Sequence, residues 1–254
     1  MPKIETHFEA EGKIFRITLN APKGNVIDMA MLSEMNDAFD LLEGAASVRC
    51  LLLDAAGPHF SFGASVAEHR PGIVEEMLPR FHATILRLAR LPLPIVSVVR
   101  GLCLGGAMEL VSLSHWIFAD HGASFGQPEI ELAVFAPVAS IVLPLKVGQP
   151  LADHLCLTGH RLSAEEAWKH GFVHHLSADP EEAARHFIEI DLLPKSGVAL
   201  RHALRAVRHD FVRRLEESLP LLEKRYLEEL MACHDPREGI EAFLEKRKPV
   251  WKDA

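Results

Sequence analysis

An α/β core followed by a helical C-terminal appendage is the fold class this sequence predicts, and two patterns predict it. Up to Glu129, short β-rich runs alternate with segments whose apolar residues recur at helical spacing, whereas beyond it the chain reads as mostly helical. A third observation marks the centre. Residues 94–129 run from Pro94-Ile95-Val96-Ser97-Val98-Val99 through a turn holding Gly101, Gly105 and Gly106 to Gly126-Gln127-Pro128-Glu129, and they read as buried strand, turn and helix start.

In chain order, Phe15, Ile17 and Leu19 alternate with Arg16 and Thr18, the period of a half-buried strand. Glu11-Gly12-Lys13 turns the chain into it, which makes residues 4–10 its hairpin partner. Residues 20–25 are a loop. Asp28 is placed to cap a helix whose Leu32, Met35, Phe39 and Leu42 share one face. Residues 48–53 form a second β-rich run, and 59–65 a loop of small residues with two aromatics. Met77, Phe81, Ile85 and Leu88 repeat at helical spacing, so Pro79 fits only near that helix's first turn, or kinks it. After Glu129, Ser163-Ala164-Glu165-Glu166 has capping-box spacing and Gly171 is placed to end the helix. Asp179-Pro180-Glu181-Glu182 and Asp235-Pro236-Arg237-Glu238 repeat one start signal, a cap with proline at the first helical position. Residues 196–233 read as two helices broken near Asp210 or Pro220. The seam between core (1–195) and helical module (196–254) falls around residues 193–197.

Composition narrows the function. With 48% hydrophobic and 24% charged residues the chain is an ordinary globular one, and its net charge of −8 argues against a nucleic-acid surface. The 15 histidines form no H-E-x-x-H motif and no tight His/Cys cluster, so no metal site is expected. Cys50, Cys103, Cys156 and Cys233 contain no C-x-x-C and read as small core residues of a reduced cytoplasmic protein. Met1-Pro2-Lys3-Ile4-Glu5 has no signal-peptide character, and no apolar run approaches the ~20 residues of a membrane span.

No Walker, G-x-G-x-x-G or G-x-S-x-G motif is present. Nothing near Cys103 in sequence would lower its pKa, so it reads as packing. His174-His175, being adjacent, point apart in most backbones. What remains is the glycine turn. A strand, a glycine turn and a helix start leave bare backbone N–H groups pointing at a ligand, although the same glycines would serve tight packing alone. Glu109 lies one turn beyond Gly106 in an otherwise apolar segment, where a carboxylate is rarely buried without a partner or a task. Glu129 is the second acid, and spacing alone does not bring the two together.

Five ordered motifs carry a resemblance over nearly the whole chain: Phe60-Ser61-Phe62-Gly63-Ala64-Ser65, residues 94–110, residues 124–129, residues 157–167 and residues 238–247. Through them the chain resembles the enoyl-CoA hydratase/isomerase (crotonase) superfamily. The resemblance implies a crotonase-like spiral of ββα units with a C-terminal helical oligomerisation module, assembled as a homotrimer or a dimer of trimers. It implies an acyl-CoA substrate and no separate cofactor, since coenzyme A is part of the substrate. Ala64 and Gly106 match the two N–H donors of the family's oxyanion hole, and Glu109 and Glu129 match the two acids of its hydratases. Lys23, Val66 and Lys246 lie where the family contacts CoA, with Lys246 placed to serve a neighbouring subunit. Two departures stand out. Gly63-Ala64-Ser65 replaces the common G-A-D, and Ala136-Pro137-Val138-Ala139-Ser140 replaces P-G-A-G-G beside the water site.

Two fixed N–H donors stabilise the enolate formed when water adds to a thioester-conjugated double bond, while one acid activates water and the other delivers the proton. The expectation is therefore an enoyl-CoA hydratase, with Glu109 activating water and Glu129 delivering the proton. An enoyl-CoA isomerase using one Glu and a non-catalytic CoA-binding scaffold are the alternatives. Residues 134–140 and 60–69 are also similar to the branch of the family that hydrates a cyclic dienoyl-CoA. Phe62 and Phe135, facing the pocket, would offer flat apolar surface to a six-membered ring, and Pro137 a stiff wall.

Overall fold

Residues 2–21 and 23–254 are described by a computed structural model; the expected loop at 20–25 is thus described except at Pro22. The strands are β1 (Ile4–Glu9), β2 (Ile14–Leu19), β3 (Cys50–Ala55), β4 (Ile95–Val99), β5 (Leu102–Leu104), β6 (Trp116–Ala119), β7 (Ser124–Gly126), β8 (Arg161–Ser163) and β9 (His175–Leu176). They build a six-stranded sheet of order β1-β2-β3-β4-β6-β9 and a three-stranded sheet of order β5-β7-β8. The β1–β2 hairpin is antiparallel, with Ile4 opposite Leu19. From β2 to β9 the large sheet is parallel. All five residues of β4 are buried, as expected for a parallel strand covered on both faces.

The helices are α1 (Met29–Glu43), α2 (Val74–Arg90), α3 (Gly106–Ser112), α4 (Pro137–Val147), α5 (Gln149–Thr158), α6 (Ala164–Lys169), α7 (Pro180–Phe187), α8 (Gly197–Lys224) and α9 (His234–Leu244). Local signals did what local chemistry dictates. Asp28 accepts from Met31 N at the start of α1, Ser163 and Glu166 form a reciprocal capping box on α6, and Asp179 accepts from Glu181 N and Glu182 N.

Of the two places open to Pro79, the first is excluded: helix α2 begins at Val74, so Pro79 lies beyond its first turn, inside the helix. Three expectations need correcting. Helix α8 is continuous over 28 residues with Pro220 inside it. It packs along α2 and α4, burying Leu215 and Leu219, and Arg213 pairs with both Asp210 and Glu217 across the expected break. Tertiary packing thus overrides the local cost of proline. Asp235 caps nothing; Cys233 is the N-cap of α9, and the Asp235 carboxylate accepts from Lys252 N and Asp253 N instead. Cys50 and Cys103 are buried, but Cys156 is half-buried and Cys233 exposed.

Ion pairs fasten the C-terminal helices to the core. His82 Nδ1 meets Glu223 at 2.6 Å, Arg90 meets Glu216 at 2.7 Å, and Arg70 grips Glu241 of α9 with both nitrogens at 2.8 and 2.9 Å. Among the described residues no helix is long and apolar enough to cross a membrane.

Candidate active site

The site is assembled where β5 turns into α3. Gly105 takes φ +53°, and a Cβ there would lie 2.6 Å from Glu129 Oε1, so the turn needs glycine both for its backbone and for the carboxylate's approach. Gly105 N donates to Gly126 O at 2.8 Å, and Leu104 is opposite Gly126 in the β5–β7 ladder. That pairing delivers the turn after β7, with Glu129 on it, to the head of α3.

Glu109 projects from the first turn of α3 and is buried, 4% exposed. Its Oε1 accepts from Ala139 N at 2.8 Å, and the Val138 N–H also points at the carboxylate. These are amides of the first turn of α4, the positive end of that helix. Burial raises the Glu109 pKa and outweighs the two amides, which pull it down. Glu129 is raised as well, first by burial and then by the charge of Glu109. Gln127, 1% exposed, sets its side-chain amide against the Glu129 carboxyl; assigned with the nitrogen on that side, it donates to the two oxygens at 2.9 and 3.2 Å. The pair therefore resists double ionisation and keeps a proton at a pH where an ordinary carboxylate has lost it.

Opposite the acids stand two amides. A Cβ on Gly63 would lie 3.3 Å from Gly106 N, and one on Gly106 would lie 3.3 Å from Ala64 N, so the two segments run side by side. Ile27 N donates to Gly63 O and Ser65 N to Ile27 O, both at 2.9 Å, which fixes the Ala64 peptide and leaves its own N–H free. Neither Ala64 N nor Gly106 N has an acceptor among the described residues.

Ala64, Val66, Gly106, Glu109 and Glu129 line one cavity of about 70 Å³, together with Phe62, Phe135 and Pro137. Lys23 lies outside it, in an adjoining pocket with Asn20, Gly24, His59 and Phe62. The Phe62 ring is common to both. Lys246 lines neither; it follows α9 with φ +56°. Cys103 is fully buried and its thiol pushed well up by that burial, in keeping with a packing role. His175 lies in β9 opposite Phe118, and no group of three potential ligands for a metal ion occurs among the described residues.

Two polar residues at the site have no expectation attached to them in the sequence. Gln127 stands two residues before the acid it faces, in Gly126-Gln127-Pro128-Glu129. Tyr226, which also lines the cavity, comes from the far end of the chain, and its one signal is that it is the sole tyrosine among 254 residues.

A family model described as enoyl-CoA hydratase/isomerase matches residues 9–254. The chain belongs to that family. Among its relatives, cyclohexa-1,5-dienecarbonyl-CoA hydratase of Thauera aromatica is 42% identical over 250 residues, covering 98% of this chain and 97% of that protein. A probable enoyl-CoA hydratase of Bacillus subtilis is 31% identical, covering 93% and 94% of the two chains. The solved structure of an enoyl-CoA hydratase from Mycobacterium avium superposes with a TM-score of 0.88 at 24% identity, covering 99% of this chain and all of that one, so the fold is crotonase-like. Pro137 opens α4 and lines the cavity.

Proposed function

We propose that this family member is an enoyl-CoA hydratase that adds water to a cyclic dienoyl-CoA thioester. The observation that carries the reading is the convergence of two buried carboxyls, both raised above the ordinary carboxylate range, and two free amides on one apolar cavity. The thioester oxygen would accept from Ala64 N–H and Gly106 N–H, each fixed donor being worth ~3–4 kcal/mol at the developing enolate. Glu109 takes a proton from water as the water oxygen bonds to the carbon β to the carbonyl, the one position that sends the electron pair onto the thioester oxygen. Glu129 returns a proton to the carbon skeleton of the enolate. In dehydration the roles reverse. Lys23, Val66 and Lys246 are proposed CoA contacts, and coenzyme A enters only as part of the substrate.

The cyclic acyl group is supported by the 42% identity to a cyclohexadienecarbonyl-CoA hydratase and by the flat surfaces of Phe62 and Phe135 at the cavity. A homotrimer or dimer of trimers is part of the same reading. Its support is the apolar surface that the module 196–254 leaves exposed at Val198, Val207, Leu221, Phe243 and Trp251. A cytoplasmic location is part of the same reading, supported by four cysteines that are all free thiols. The deciding experiment compares kcat/KM for cyclohexa-1,5-diene-1-carbonyl-CoA and crotonyl-CoA, with incorporation of labelled solvent oxygen. The cyclic thioester should be preferred. Preference for crotonyl-CoA overturns the ring assignment, and double-bond migration without oxygen incorporation makes the protein an isomerase.

A further inference from the structure

The acyl cavity contains a buried hydroxyl to which the mechanism above gives no work. Of its lining side chains, four carry nitrogen or oxygen: His69, Glu109, Glu129 and Tyr226. Three are engaged. His69 Nδ1 lies 2.8 Å from Ser65 O, which obliges that nitrogen to be the protonated one and leaves Nε2 only an acceptor. Glu109 takes the Ala139 and Val138 amides, and Glu129 takes Gln127. Pro137, at the head of α4, brings no N–H to the cavity wall, and the next two amides are spent on Glu109.

Tyr226 is different. It is 1% exposed, its ring packs 5.4 Å from that of Phe135, and its hydroxyl has no partner among the described residues. A buried hydroxyl without a partner costs ~1–3 kcal/mol, and native structures rarely keep one without a reason. Local backbone adds a second sign. Residues Arg225–Glu229 form a single π-helical turn at the end of α8, which widens the helix so that Tyr226 and Met231, five residues apart, both face inward. The phenol lies close enough to the acids that, after burial, the charges of Glu129 and Glu109 push its pKa further up, so it stays a neutral donor.

We propose that Tyr226 is a specificity-determining residue whose O–H donates to the oxygen added to the acyl group, holding the hydroxyacyl-CoA product against Glu109 and Glu129. This rests on the hydratase reading. A hydroxyl has one proton to give and two lone pairs to fill. After water has added, ionised Glu129 accepts the product's O–H, while protonated Glu109 and Tyr226 donate to its two lone pairs. The enoyl ligand itself brings no oxygen there, only the separately bound water, so Tyr226 touches the acyl ligand at the hydroxyacyl end of the reaction alone.

The test is Tyr226→Phe, which keeps the ring on Phe135 and deletes an unsatisfied group, so its melting temperature should equal or exceed that of the wild type. Binding is measured calorimetrically with hydroxypivaloyl-CoA and pivaloyl-CoA. These differ only by a β-hydroxyl, and neither has the α-hydrogen that dehydration requires. The wild type should prefer the hydroxylated ligand, and the variant should bind it roughly three- to tenfold more weakly while holding pivaloyl-CoA unchanged. In turnover, KM should rise for the hydroxyacyl-CoA but not for the enoyl-CoA. Equal affinity of the wild type for both ligands, or equal changes for both in the variant, overturns the inference. Failure of the hydratase reading would show separately, as absent water addition by the wild type, because the binding comparison needs no turnover.

Discussion

At the scale of single residues, the proposed hydration needs the two acids in different protonation states, and burial together with the charge of Glu109 on Glu129 favours that. Replacing either with glutamine keeps shape and removes one proposed proton-transfer group. Glu109→Gln and Glu129→Gln should each lower kcat by ~10²–10⁴-fold with acyl-CoA affinity nearly unchanged, measured by turnover and by calorimetry. A variant with near-wild-type kcat would strip that residue of its role. The wild-type pH profile should be a bell, because the active form carries one proton between the two carboxyls. Both limbs should lie above the ordinary carboxylate range, since burial raises both groups and the charge of Glu109 raises Glu129 further. In Glu109→Gln the repulsion disappears, so Glu129 should lose its proton at lower pH than in the wild type. The acids themselves were legible in the sequence, Glu109 because it interrupts an apolar segment and Glu129 through its motif. Their meeting was not, because it depends on the β5–β7 ladder and on Gly105 yielding the space a Cβ would fill.

At the scale of elements, what could be read depended on how locally each decision is made. The caps on α1, α6 and α7 are settled within three residues by side-chain oxygens and nearby amides, and they were visible as spacing. Helix α8 was misread because the residues that keep it whole lie on other elements. Leu215 and Leu219 face α2 and α4, while Glu216 and Glu223 hold Arg90 and His82. Leu219 is 1% exposed, one residue before Pro220. Leu219→Ala should therefore cost ~2–5 kcal/mol in urea unfolding, the range for a large-to-small change in a packed core. A cost within experimental error would mean that α8 is held by its ion pairs. Because α8 leads into Tyr226, the same change should also disturb the acyl cavity, visible as a raised KM.

At the scale of the whole molecule, charge is unevenly placed. The chain is acidic overall, yet Lys146 of α4, Arg208 of α8 and His115 ahead of β6 gather where three elements meet, with no ion pair to an acid among the described residues. Lys146 donates to Ser114 O at 2.6 Å, and Arg208 Nε to His115 Nε2 at 3.2 Å. Burial, and then the charge of Arg208, lower the Lys146 pKa to about 7. An unfolded lysine titrates near ~10.4. Between those values the unfolded chain binds the additional proton, so the contribution of Lys146 to stability should rise with pH across that window, and below it the cost of the buried cation is fully present. The raised Glu109 and Glu129 contribute a slope of opposite sign, so the test is the difference between two proteins that share them: from about pH 7 to about pH 9 the urea midpoint of the wild type should gain on that of Lys146→Met. A difference that stays constant or shrinks over the same interval would refute the sign.

The Phe62 ring has a consequence for how ligands communicate. It lines both the acid-lined cavity and the Lys23 pocket, and it lies tilted 5.1 Å from His59. Were the ring to turn for an occupant of one compartment, the wall of the other would move with it. Two occupants would then be linked through one rotor, and such linkage is reciprocal: whatever an occupant of the Lys23 pocket did to affinity at the acids, an occupant there would return in equal measure.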